Sequence, residues 1–105
     1  MPTNNIKKSV PIELGGKTRN LRFTFNALVA LEDDLGISIS DIGELLSGSV
    51  RLKSLRSLIW AGLLHEDKEL TPDGIGEWLD FSMLAMVAEK LRDAFEAAFA
   101  EKEKK

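Results

Sequence analysis

The chain of 105 residues contains no cysteine and one histidine, His65. Without cysteine there is no disulfide framework, no thiolate nucleophile, no iron–sulfur cluster and no thiolate zinc site. A single histidine excludes a multi-histidine metal centre within one chain. Long apolar runs are also missing. The stretch Met83-Leu84-Ala85-Met86-Val87-Ala88 is among the longest, whereas a membrane-spanning helix needs about 20 such residues. No membrane partner is expected. The opening Met1-Pro2-Thr3-Asn4-Asn5 lacks an apolar core, so no signal peptide is expected either.

Catalytic motifs are absent as well. There is no Gly-x-Ser-x-Gly elbow, no P-loop and no Gly-x-Gly-x-x-Gly. Gly74 and Gly76 lack the third glycine and the preceding strand. His65-Glu66-Asp67 with Glu69 resembles a metal cluster only in composition. Neighbouring extended residues do not converge on one ion, and the helical zinc pattern needs two histidines four apart. Glu69, Thr71, Asp73, Gly74, Glu77 and Asp80 fall at the spacing of a calcium loop. The loop would open on Glu instead of Asp, close on Asp instead of a bidentate Glu, and hold Pro72 inside. The chain is expected to need no metal or cofactor and not to be an enzyme.

What is present is enough for one small folded domain. Apolar residues make up 44% and charged residues 30%, too apolar for a disordered chain. Residues 1–8 read as a flexible arm, and 9–105 as a single domain. Val10, Ile12 and Leu14 alternate with polar positions, and Gly15-Gly16 is a hairpin turn signal. The return places Leu21 and Phe23 inward, so a hairpin is predicted over 10–23. Pro11 blocks one strand as a donor, leaving the other edge for pairing between copies.

Helical periodicity then takes over. Thr24 caps a helix over 25–35 that stops at Gly36, with Leu28, Leu31 and Leu35 on one face. Ser40 caps a short helix over 41–46. A stronger helix over 50–64 gathers Leu52, Leu55, Leu58, Ile59, Gly62 and Leu63 into an arc of about 140°. Lys53 and Ser57 lie on its polar side, and Trp60 and Leu64 form a second apolar pair outside the arc. Thr71-Pro72-Asp73 starts a helix over 72–79, with a cap, a proline where its missing N–H is harmless, and an acid at the positive dipole end. The last helix, 81–102, carries the stripe Leu84, Val87, Ala88, Leu91, Ala94, Phe95, Ala98 and Phe99, with Arg92 and Glu96 spaced to pair. The expected fold class is α+β, mainly α: an N-terminal β-hairpin followed by four to five helices.

Charge is unevenly divided. Residues 1–64 carry eight Lys/Arg against six Asp/Glu, a net +2, and residues 65–105 carry six against eleven, a net −5. That sign opposes nucleic-acid binding through the second half. Arg51, Lys53 and Arg56 sit as in a recognition helix, which keeps a small helical DNA-binding regulator as a third reading. The acidic companion helix and the net charge of −3 oppose it.

Ile12-Glu13-Leu14-Gly15-Gly16-Lys17, Leu21-Arg22-Phe23, the helix with Phe25-Asn26-Ala27-Leu28 to Leu35-Gly36, and Leu58-Ile59-Trp60-Ala61-Gly62-Leu63 before His65-Glu66-Asp67 and Leu70-Thr71 together resemble the tail assembly chaperones of long-tailed phages and the matching small proteins of gene transfer agents. Some of the latter have been labelled tail tube proteins. The resemblance covers roughly residues 10–80 and implies a protein that coats the tape-measure protein in the host bacterial cytoplasm. It would contact the tail tube protein or further copies of itself, and be absent from the mature particle. The alternative is a structural, tail tube-associated component. Trp60, Leu64, Met83 and Met86 are the candidate partner-binding residues, methionine being adaptable to irregular partners; a second core layer would use the same four. Gly15, Gly16, Gly36, Thr71 and Pro72 are read as structural.

Overall fold

Alternation decides the N-terminal element in the computed structural model, which describes residues 9–42, 44 and 51–103. Strands β1, Val10–Leu14, and β2, Lys17–Leu21, pair antiparallel with Leu14 opposite Lys17 and Val10 opposite Leu21. Gly15 and Gly16 both adopt positive φ, 62° and 82°, as a two-residue hairpin turn of this hand requires. Ile12, Leu14, Leu21 and Phe23 are buried. So is Arg19, on the same inward face as Leu21. Its Nε donates to the Leu14 carbonyl at 2.9 Å, and its guanidinium lies over the Trp78 ring, 4.1 Å from the centroid. A Cβ on Gly15 would stand 2.6 Å from that indole, so this turn position needs glycine for space as well as for φ.

Helix α1, Phe25–Leu35, begins and ends on the expected signals. The Thr24 hydroxyl accepts from the Ala27 N–H at 3.0 Å, and Gly36 takes the left-handed conformation, returning its N–H to Glu32. Helix α2, Ile39–Ile42, starts one residue before Ser40, so Ser40 lies inside the helix and does not cap it. The preceding Ser38 hydroxyl instead donates to the Asp41 carboxylate. The remainder of the helix expected over 41–46 is not covered, because residues 43 and 45–50 lie outside the described residues, as do Ser49, Val50 and the 1–8 arm.

Helix α3, Leu52–Leu63, is the centre of the fold and touches β2, α1 and two later helices. Leu55, Leu58, Ile59, Gly62 and Leu63 are buried as the arc predicts. Two positions differ. Leu52, in the first turn of the helix, is 55% exposed. Ser57, expected on the polar side, is fully buried; its hydroxyl donates to Asp34 of α1, so the polar atom is satisfied within the α1–α3 contact. At Gly62 the hairpin approaches closely: Arg22 N–H donates to the Gly62 carbonyl at 2.9 Å, and Leu21 and Phe23 lie against its Cα.

Helix α4, Pro72–Gly76, is shorter than the predicted 72–79. Thr71 accepts from the Gly74 N–H at 3.0 Å and Pro72 takes the first turn. After two glycines with low helix propensity, the chain tightens into bonds from Glu77 to Gly74 and from Trp78 to Ile75, which ends the α-helix. Asp80 then caps a single 3₁₀ turn, Phe81–Met83, that leads into α5, Leu84–Glu103. The 81–102 helix is therefore a 3₁₀ turn followed by an α-helix. Val87, Leu91, Ala94 and Phe95 are buried along the predicted stripe. Phe95 joins Phe23 and Phe99, with centroids at 4.4 and 5.7 Å. Arg92 and Glu96 do not pair; among the described residues the ion pair is Arg56–Asp73 at 3.2 Å. The radius of gyration, 13.0 Å, matches the value of about 13 Å for one compact body of this length. The fold class is α+β, mainly α.

Candidate interaction surface

The four residues expected to meet a partner are all half-buried. Trp60 packs against the core and its Nε1 donates to the Leu70 carbonyl at 2.9 Å, pinning the loop between α3 and α4. Leu64 follows α3 directly, with its N–H returned to Ala61. Met83 and Met86 pack against the core at the start of α5. The fold keeps them as two pairs, one at the end of α3 and one at the start of α5.

The loop after α3 has a second task. With Leu14 and Lys17 flanking a two-residue turn, Pro11 and Asn20 form a non-hydrogen-bonded pair whose backbone groups point away from the partner strand. On the β1 side Pro11 offers no N–H. On the β2 side the Asn20 N–H donates to Glu66 Oε1 at 3.2 Å, its side-chain amide donates to Glu66 Oε2 at 2.9 Å, and its carbonyl lies 2.7 Å from His65 Nε2. The β2 edge, expected to be free for pairing between copies, is thus covered at Asn20 by this chain's own His65 and Glu66. Both side chains are thereby engaged with Asn20 of the strand. Thr71, Asp73 and Asp80 are likewise engaged, in a cap, an ion pair and a second cap. Among the described residues no group of three or more metal-ligating side chains converges, and no helix is long and apolar enough to cross a membrane.

The exposed apolar surface lies elsewhere. Phe25 is 81% exposed, Phe81 77%, Leu52 55% and Val29 42%. Phe25, Leu28, Val29 and Glu32 line a shallow depression of about 190 Å³ on the outer side of α1. Leu52, Leu79, Phe81 and Leu84 line a second hollow, also about 190 Å³, where the first turn of α3 meets the end of α4 and the start of α5. Arg56 lies along its wall, with Nε buried and without a hydrogen-bond partner. Asp80 stands at the rim. The Ser82 hydroxyl and the Ser82 N–H both donate to it, which holds its carboxyl below the ordinary value of 3.8. Sequence reasoning missed these residues in two ways. Phe25 and Val29 are spaced i, i+4 off the Leu28-Leu31-Leu35 stripe, a visible signal. Leu52 belongs to the core arc by angle, and only its position at the helix start leaves it uncovered.

No curated protein and no solved structure matches the chain. A family model described as "Phage tail tube protein, GTA-gp10" matches residues 8–101. That description is of a tail tube protein; it speaks neither of a chaperone nor of a tape-measure protein. The match runs from the residue before the described hairpin region through nearly all of α5, and over that length the chain belongs to the phage tail tube protein, GTA-gp10, family.

Proposed function

We propose that the protein is a tail tube-associated component of a phage-like or gene-transfer-agent particle, working through protein contacts and not through catalysis. The observation that carries this reading is the family match over residues 8–101. The two exposed apolar hollows support it, since a structural component needs surfaces left open by its own fold. Assembly takes place in the host bacterial cytoplasm, and the protein then stays with the tail.

One observation favours a second reading, the tail assembly chaperone that binds the tape-measure protein and departs. The sheet is two strands of five residues each, with Pro11 on one edge and Asn20 already bonded on the other. A subunit that builds a tube through a shared sheet needs longer strands with open edges. Quantitative mass spectrometry of purified particles separates the two. Copies in fixed stoichiometry with the tube support the component reading. Absence from particles, together with co-purification with the tape-measure protein from assembling cells, overturns it in favour of the chaperone.

A further inference from the structure

The hairpin buries a cation for which the described residues supply no counter-ion. Arg19 is only 9% exposed. Its Nε donates to the Leu14 carbonyl, and its guanidinium lies over the Trp78 ring. Those contacts occupy one N–H and one face of the planar group. Nη1 and Nη2 donate to nothing among the described residues, where Arg56 Nε is the sole buried side-chain nitrogen or oxygen lacking a partner. The two Nη atoms of Arg19 therefore stand where solvent reaches them. The ion pair among the described residues, Arg56–Asp73, lies elsewhere.

Nearby carboxylates do not serve it. Glu13 is on the opposite face of the hairpin by alternation, where it accepts from the Thr18 hydroxyl. Glu77, next to Trp78, is exposed and makes no ion pair among the described residues. Asp80 accepts from Ser82. Lys17, by contrast, shares the Arg19 face, two residues earlier on β2. It is exposed and likewise has no ion-pair partner among the described residues. We infer that Lys17 and Arg19 form a docking site for an extended acidic segment of a partner protein, with carboxylates at alternate positions.

A charge taken out of water without a partner is costly, and a carboxylate on the two Nη donors would supply the missing counter-charge. The guanidinium fork suits it, because two parallel N–H groups meet the two oxygens of one carboxylate. The group is also held in advance. The Leu14 bond and the indole fix its plane, and the indole itself sits against the turn, where Gly15 has no Cβ to hold it off. Little side-chain freedom is then lost on binding. Spacing selects the conformation of the partner. Residues two apart on a strand repeat at about 7 Å, so Lys17 and Arg19 match acids two apart on another extended chain. The net charge of −3 opposes a nucleic-acid backbone as the occupant. This inference goes beyond the tail-tube reading and does not depend on it: it is tested on the purified chain, and that reading on purified particles.

The test is proton–nitrogen NMR of the purified chain, titrated with a blocked peptide of alternating glutamate and serine. Saturable shifts are expected at the Trp78 indole N–H and at the Gly15 and Gly16 amides, and weaker binding at high salt. The same peptide with glutamine in place of glutamate should shift none of them. Arg19→Gln should weaken binding about tenfold or more. Lys17→Glu, at an exposed position that folding does not depend on, should weaken it about fivefold or more, and it decides alone if the Arg19 variant loses its dispersed spectrum. A titration without saturation, equal shifts with the glutamine peptide, or undiminished binding by Lys17→Glu overturns the inference. So does tighter binding of inorganic phosphate or of a single-stranded oligonucleotide than of the glutamate peptide.

Discussion

Replacing Gly62 by alanine tests how closely the hairpin is seated on α3. In an open helix interior this change stabilises by about 1 kcal/mol, because glycine is the more flexible residue when unfolded. Here the new Cβ would stand 2.9 Å from Leu21 Cδ2 and 3.4 Å from Phe23 Cζ. Favourable carbon separations begin near 3.5 Å, so Leu21 must retreat by about 0.6 Å. It has little room, being fully buried. The adjacent Arg22 N–H is also tied to the Gly62 carbonyl itself, so the strand end cannot slide away without stretching that bond. Overpacking of this kind costs about 1–3 kcal/mol. The net expectation is a loss of about 1 kcal/mol, or a fall in Tm of about 4–8 °C for a domain of this size. Urea unfolding followed by circular dichroism measures it, with an unchanged m-value showing that stability alone has moved. Gly76→Ala is the control. Its Cβ would meet Arg56 Cδ at 3.2 Å, part of a flexible, half-exposed side chain, and the change should stay within about 0.5 kcal/mol of the wild type. A Gly62→Ala protein as stable as the wild type, or more so, refutes the close seating.

Two further outcomes follow from side chains already placed. Asp34→Ala leaves the buried Ser57 hydroxyl without its acceptor and should cost about 1–3 kcal/mol, whereas Ser57→Ala leaves an exposed carboxylate that water can serve and should cost about 1 kcal/mol; denaturant midpoints showing the reverse order contradict that reading of the α1–α3 contact. Asp80 is held below its ordinary value by the Ser82 hydroxyl and then by the Ser82 N–H, so its contribution is complete above that value and disappears as pH falls through its lower folded value. The stability difference between wild type and Asp80→Asn should therefore shrink as pH falls below the ordinary value of 3.8, and a difference that grows on acidification sinks the assignment.

Local signals made much of the fold legible. The alternation at Val10, Ile12 and Leu14 with two glycines specified the hairpin, and Thr24, Gly36 and Thr71-Pro72 marked helix ends, because each acts through bonds to residues three or four positions away. The rest depended on distant partners. Ser57 reads as polar surface until Asp34, 23 residues earlier, is known to meet it. Arg19 shares the inward face of Leu21 by alternation, but the ring that receives its charge there, Trp78, comes 59 residues later in the chain. The exposed apolar surface was the least legible part. Helical spacing shows which residues share a face, but coverage of that face depends on what the rest of the chain lays over it. Trp60, Met83 and Met86 are packed against the core, whereas Phe25 and Phe81 are open.

The bonds between Asn20 and the His65-Glu66 loop change what crowding would do to this protein. Adding a strand to a bare hairpin is an encounter reaction whose rate rises with concentration. Here a strand arriving at β2 must first displace the intramolecular ligands of Asn20, which are always at hand, so the rate on that edge is limited by how often the loop after α3 lets go. Many copies held side by side could remain native at concentrations that would drive an unguarded two-stranded sheet toward cross-β seeding.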